Sequence, residues 1–199
     1  MTDRPKSLYE QDIQSRTTWH YAKGWLIRWW NNLKYALARH IARCNGATIG
    51  EAVVMPLSLA RHANANLRVG NHVSIQTDQI ALRSQVTIGD HVIIGSQTEI
   101  LTTSHNIDSP EWEHKHYGLT IDDYAWIPTR VLILPSCRHI GRGAVVSSGS
   151  VVVSDVEPMS VVGGNPAKEF KKRQCVHENL VVEGLLGGDF EAYCQARNS

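Results

Sequence analysis

Aliphatic residues recur every six positions through the middle of this chain, and that period constrains its fold more than any other feature. Ile88, Ile94 and Ile100 form one ordered triplet, Ile121, Ile127 and Ile133 a second, and Ile140, Val146 and Val152 a third. Val69 and Ile75 lead toward Leu82 and Ile88 with one residue inserted. A small or acidic residue follows many of these anchors, as in Val69-Gly70, Ile88-Gly89, Ile94-Gly95 and Ile121-Asp122. Four places after an anchor stands a small or β-branched residue: Val53, Val73, Val92, Thr98, Ala125, Val131, Cys137, Ala144 and Ser150. A period of six fits neither a 3.6-residue helix nor simple alternation in a hairpin. It fits a hexapeptide repeat, in which each hexad supplies a short strand and a bend, and three hexads close a triangular coil of about 18 residues. Anchors of successive coils then stack about 4.8 Å apart and bury a continuous aliphatic column. Strict hexads go with left-handed winding, an exception to the usual right-handed crossover. The expected fold is therefore mostly β, a left-handed parallel β-helix with an N-terminal helical segment and a short C-terminal extension.

The pattern also sets the organisation. Residues 1–45 form the helical segment, 46–168 the β-helix, and 169–199 the extension. Within the β-helix the hexads lapse over 106–118, a polar loop that resumes the repeat at Leu119-Thr-Ile121. Repeats accept insertions chiefly on binding faces, so this loop is a candidate functional element. In the N-terminal segment, Ala22, Trp25, Leu26, Trp29, Trp30, Leu33, Leu37, Ala38 and Ile41 follow helical spacing, with Lys23, Arg28, Lys34, Arg39 and Arg43 and no acidic residue between Trp19 and Cys44. Two readings stand: a helix packed on the β-helix or a neighbouring subunit, or an interfacial helix making peripheral contact with an anionic membrane.

Composition narrows the function. The 199 residues carry 20 Lys+Arg against 19 Asp+Glu, a net charge of +1, which argues against a nucleic-acid binder. Met1-Thr-Asp-Arg-Pro-Lys6 lacks the apolar core of a secretory signal, and the widely spaced Cys44, Cys137, Cys175 and Cys194 suggest neither a disulfide framework nor a zinc site. A cytoplasmic protein is expected.

Val86-Thr-Ile-Gly-Asp-His-Val-Ile-Ile-Gly95, Thr102-Thr-Ser-His105, Ile121-Asp-Asp-Tyr-Ala-Trp-Ile127, Val131-Leu-Ile-Leu-Pro135 and Gly164-Asn-Pro-Ala-Lys168 occur in that order. With these segments the chain resembles hexapeptide-repeat acyltransferases over about Gly46 to Lys172, and among them the maltose/galactoside-type and exopolysaccharide (colanic-acid-type) sugar O-acetyltransferases. The resemblance implies acetyl transfer from acetyl-CoA to a hydroxyl of a saccharide or glycan precursor. It assigns His105 as general base, a role that suits an imidazole titrating near neutrality. The Thr129 amide would stabilise the oxyanion. Trp126 would line the pantetheine channel, Ser148 would contact the arm near the thiol, Gly164, Asn165 and Pro166 would shape the adenine end, and Lys168 and Lys171 would face the phosphates. Gln76 and Asp78 are candidates for the acceptor side, and Asp108, Glu111 or Glu113 for orienting His105. Acetyl-CoA is then a cosubstrate. No resident cofactor or metal is implied, because a thioester is already activated. The resemblance also implies a homotrimer with sites between subunits.

Two positions depart from the family pattern: Pro128 stands where Gly is frequent, and Val153-Ser154 where a Thr-Lys pair is frequent. Proline has no amide hydrogen and fixes φ, while Thr129 keeps its own N–H. Other readings of the same repeat are an acyltransferase for an amino sugar, an amino acid hydroxyl or an antibiotic, a β-helical carbonic anhydrase using His91, His105, His114 and His116, or a non-enzymatic scaffold protein.

Overall fold

In the computed structural model most hexads are a two- or three-residue strand followed by a turn. The structure describes residues 7–178 and 180–198, so the signal-sequence reading of residues 1–6 lies outside the described residues. Two helices, α1 (Leu8–Ser15) and α2 (Thr18–Cys44), precede the repeat. The first coil contains β1 (Thr48–Ile49), a bridging residue Val54, and α3 (Leu57–His62) in place of a third strand. The second has β2 (Leu67–Val69) and β3 (Ser74–Ile75), and the third β4 (Val86–Ile88), β5 (Ile93–Ile94) and β6 (Glu99–Ile100). A hairpin, β7 (Thr103–His105) and β8 (His114–His116), then leaves the coil. The fourth coil is β9 (Leu119–Ile121), β10 (Trp126–Ile127) and β11 (Leu132–Ile133), and the fifth is β12 (His139–Ile140), β13 (Val145–Val146) and β14 (Val151–Val152). The chain closes with β15 (Ser160–Gly164), β16 (Ala167–Lys172), a 3-10 turn at Val182–Leu186 and α4 (Phe190–Asn198).

Successive strands visit three sheets in turn. The first sheet runs β1-β2-β4-β9-β12, the second β3-β5-β10-β13-β15-β16, and the third β6-β11-β14. Pairing between coils is parallel and in register, with Ile88 opposite Ile121, Ile94 opposite Ile127 and Ile100 opposite Ile133. These six isoleucines are all at most 1% exposed. The residues four places after the anchors, from Val53 to Ser150, are buried as well, so each hexad contributes two inward side chains. Each fully buried aliphatic side chain stabilises by about 1.5–3 kcal/mol, and stacking them in one column is what holds strands of two or three residues together.

The second coil differs from the reading of its anchors. Its third-sheet position is Ile80, which bridges to Ile100, and not Leu82. The Thr77 hydroxyl donates to the Thr98 carbonyl and accepts from the Gln79 amide, tightening the turn so that Ile80 arrives five places after Ile75. Two extra residues then fall between Ile80 and Ile88, where the Leu82 carbonyl accepts from Asn64 and Asn66.

The long helix α2 braces the N-terminal end of the coil. Ala38 and Ala42 join the main core, and Gly24 lies against Tyr193, where a Cβ would sit 2.4 Å from the phenol oxygen. Ile13, Tyr193 and Ala196 form a smaller core with Tyr9, Tyr21 and Trp25 packed on it. Three cations of α2 turn inward: Arg28 pairs with Asp189 at 2.9 Å, Arg39 donates to Val53 O, and Arg43 donates to Ile49 O. Leu26, Trp29, Trp30, Leu33 and Leu37 remain exposed. Among the described residues no helix is long and apolar enough to cross a membrane.

Candidate functional site

Turns of successive coils stack along the edge between the second and third sheets. Gln76–Asp78, Ser96–Gln97, Thr129–Arg130, Ser148–Gly149 and Gly163–Gly164 follow one another along it. Arg130 N donates to Ser96 O at 3.0 Å and Gly149 N to Thr129 O at 3.1 Å, while Gly164 N donates to Ser150 Oγ at 3.1 Å. The same turn position is left-handed in consecutive coils, at Gln97 (φ 58), Arg130 (φ 62) and Gly149 (φ 73). Pro128 enters its turn with its carbonyl accepting from Thr98 Oγ1 at 2.8 Å. Gly95 lies flat beneath: a Cβ there would stand 2.6 Å from both Pro128 C and Thr129 N. Thr129, Ser148 and Gly164 thus share one edge, with Gln76 and Asp78 farther along it. Asp78 is exposed on the rim of an open cavity of about 360 Å³ that also borders Glu99 and Leu101.

Trp126 lies on the adjacent flank, in the second sheet between Ile93 and Val145, and is 48% exposed. The β15–β16 hairpin carries Asn165 and Pro166 at its tip, closed by the pair Gly164 and Ala167. Lys168 and Lys171 are exposed on β16 opposite Gly163 and Val161. The rest of the basic run is engaged. Lys172 pairs with Glu169 at 3.0 Å, and hydrogen bonds from Ser160 and Lys172 hold the Glu169 carboxyl below its usual range. Arg173 donates to the carbonyls of Tyr124 and Gly143, fastening the tail to the coil.

His105 ends β7, on the hairpin that leaves the third sheet, so in the chain path the third sheet lies between it and the edge carrying Thr129. Its Nδ1 is 2.7 Å from the Trp112 carbonyl oxygen. A carbonyl only accepts, so Nδ1 carries the hydrogen and the neutral ring keeps its lone pair on Nε2. Trp112 holds that carbonyl in place from a left-handed conformation, φ 49. Of the three carboxylates considered for this orienting role, Glu113 instead accepts from Asn106 Nδ2 at 2.6 Å, closing the loop. His114 faces His105 across the hairpin, with ring centroids 4.3 Å apart. Desolvation, then the neighbouring His105, Arg83 and His116, push the His114 pKa down. Cys137 sits inside the column, where burial raises its thiol to about 12.

Two features were missed by reading residue types. The orienting carbonyl of Trp112 belongs to the main chain and leaves no side-chain signal. Along the edge between the first and second sheets, His72, His91 and Tyr124 stack with centroids 5.0 Å apart at each step. Each stands three places after an anchor (Val69, Ile88, Ile121), a periodicity that was there to be found.

No family model matches the chain. A hexapeptide-repeat-containing acetyltransferase from Vibrio cholerae superposes with a TM-score of 0.59 at 28% identity, covering 85% of this chain and 95% of that one. The same protein has been solved with acetyl-CoA bound, and that structure superposes with a TM-score of 0.55 at 25% identity over 84% of each chain. An Escherichia coli protein whose name assigns it to colanic acid biosynthesis as an acetyltransferase is 26% identical over 156 residues, 78% of this chain and 85% of its own. A Schizosaccharomyces pombe protein named as an acetyltransferase is 34% identical over 90 residues, 44% of this chain, and the chain spans only 43% of that protein's length. The chain is thus similar, in sequence and in fold, to hexapeptide-repeat acetyltransferases.

Proposed function

We propose that the protein is an acetyl-CoA-dependent O-acetyltransferase that modifies a hydroxyl of a saccharide or glycan precursor, with His105 as general base. The observation that carries this reading is the Nδ1 hydrogen bond of His105 to the Trp112 carbonyl. It fixes the tautomer that leaves Nε2 free to take a proton. The acceptor oxygen attacks the thioester carbonyl as its proton passes to Nε2, and a new C–O bond forms. The Thr129 amide donates to the resulting oxyanion. Collapse breaks the C–S bond, and the departing CoA sulfur receives the proton held by His105. Trp126 borders the pantetheine arm and Ser148 the region near the sulfur. Gly164, Asn165 and Pro166 shape the adenine end, and Lys168 and Lys171 supply mobile positive charge for the phosphates. Gln76 and Asp78 serve the acceptor. The similarity to an acetyltransferase solved with acetyl-CoA supports the donor, and the similarity to the colanic-acid relative supports a saccharide acceptor.

In this reading residues 1–45 brace a left-handed β-helix spanning 46–168, and 169–199 form the closing extension. The chain assembles as a cyclic homotrimer, in which His105 of one subunit meets the Thr129–Gly164 edge of the next. The separation of these groups by the third sheet supports a shared site. A cytoplasmic location suits an acetyl-CoA-dependent enzyme, and the four cysteines are free thiols.

The test is His105→Ala. The exposed side chain is dispensable for folding, so thermal stability holds while kcat, read as CoA thiol release across a panel of saccharides, antibiotics and hydroxy amino acids, falls by about 10²–10⁴-fold. A rate near that of the wild type removes His105 from the mechanism. Turnover confined to antibiotics or amino acids overturns the saccharide assignment. Light scattering at assay concentration decides the trimer, and a fully active monomer refutes the shared site.

A further inference from the structure

We propose that the outward stripe of α2 docks the protein on an anionic lipid bilayer. The orientation of the helix is set from inside, by Gly24 against Tyr193, by Tyr35 donating to Leu186 O, and by Ala38 and Ala42 in the coil core. The opposite face is therefore committed to the outside. It carries Trp19 (75% exposed), Leu26 (59%), Trp30 (66%), Leu33 (48%) and Leu37 (51%). Their spacing of seven, four, three and four residues keeps them on one line of the helix. At 1.5 Å per residue the stripe is roughly 27 Å long. So long an exposed apolar strip marks a contact surface.

Charge identifies the occupant. Lys23 and Lys34 are exposed beside the stripe, and the helix from Trp19 to Cys44 contains no Asp or Glu. Of the carboxylates on α1, α4 and the turn before it, Asp12 and Asp189 are paired with Arg16 and Arg28, Glu10 accepts from the Ser7 amide, and Glu191 accepts from Gln195. A second copy that meets this stripe with its own stripe is a poor partner. A two-fold axis through the midpoint of the stripe, near Arg28, would set Lys23 of one copy against Lys34 of the other with no carboxylate between them. An anionic bilayer offers what the stripe lacks. Its acyl boundary accepts the Leu side chains, its interface suits amphipathic indole rings, and its headgroups attract lysines that reach outward along their aliphatic stems. The helix would lie in the membrane plane, with the coil on its cytoplasmic side. This inference does not depend on the acetyltransferase reading, and its test involves no turnover.

The full chain is mixed with phosphatidylcholine vesicles and with vesicles containing phosphatidylglycerol, then followed by flotation and tryptophan fluorescence. Binding to the anionic vesicles, a blue shift of emission and weakening with salt are expected. The double variant Leu26→Glu/Trp30→Glu should lower vesicle affinity at least about tenfold, because it places charge in the apolar stripe. Lys23→Glu/Lys34→Glu replaces two exposed cations, one of which, Lys34, also lies 5.3 Å over the Tyr35 ring, and should also lower affinity at least about tenfold. Absence of binding to anionic vesicles overturns the proposal, as does unchanged binding by Lys23→Glu/Lys34→Glu. So does light scattering showing that the Leu26→Glu/Trp30→Glu protein loses a wild-type oligomer, since the stripe is then an interface between copies.

Discussion

Adding one methyl group at Gly95 separates the role of the coil as scaffold from its role in catalysis. The missing Cβ would stand 2.6 Å from Pro128 C and from Thr129 N, against about 3.5–4.0 Å for comfortable carbon contacts. In Gly95→Ala, roughly 1 Å must therefore be found by moving the turn above. That turn holds the amide proposed to meet the oxyanion, which works only over about 2.7–3.1 Å. Losing such a donor costs about 10²–10³-fold in kcat, roughly 2.7–4 kcal/mol. Overpacking of this kind also lowers stability by about 1–3 kcal/mol. Gly89→Ala is the control. Its Cβ would fall 2.3 Å from Asp123 Oδ1 and 2.7 Å from Asp123 N, a comparable clash on the edge between the first and second sheets. Urea denaturation and CoA thiol release would be measured on both variants. Both should be destabilised, and Gly95→Ala alone should show the large fall in kcat. If the two variants lose kcat equally, the Thr129 amide is not the oxyanion donor. If Gly95→Ala unfolds at the wild-type midpoint, the close stacking of coils described above is wrong.

Ile127→Ala empties a fully buried position opposite Ile94 and should cost about 2–5 kcal/mol in denaturant unfolding. Lys168→Ala and Lys171→Ala should each raise KM for acetyl-CoA by about five- to tenfold, as expected for a lost charge-assisted contact, with kcat little changed; steady-state kinetics with varied acetyl-CoA checks this. Stability should also depend on His91. Its pKa lies below the ordinary value through burial first and His72 second, against the opposing pull of Asp90, Glu183 and Asp123. The unfolded chain then binds the proton more readily, so this contribution is full above pH about 6.5 and declines as pH falls toward the folded pKa. Unfolding midpoints at several pH values should show the decline in the wild type and less of it in His91→Asn, where Asn tolerates the left-handed backbone.

The triplet Ile121, Ile127 and Ile133 was legible because each side chain enters the same column, so burial imposes the period on the sequence. Ile80 was not legible. Its early arrival depends on one hydroxyl, that of Thr77, bonded to a carbonyl in the next coil, and such a bond leaves no periodic trace. In α2 the helical spacing was plain, but the face that packs was not. Arg28 turns inward to a carboxylate from the far end of the chain, and Arg39 and Arg43 turn inward because carbonyls at the open end of the coil need donors. The order of motifs around His105 singled it out as a candidate, and its role rests on the proposed function. Its partner carbonyl was hidden because every residue has one.

Asn71 N bonds Asp90 Oδ1 across 19 residues, and Asp90 N bonds Asp123 Oδ1 in the same way across 33. The ladder does not register the difference, because the hairpin bearing His105 leaves and rejoins the coil between strands already positioned by their neighbours. Heredity can therefore rewrite this excursion, in length or in lettering, while the column beneath goes on folding as before. A change in this excursion is therefore read in whatever chemistry His105 and the Trp112 carbonyl perform, and not in whether the molecule folds.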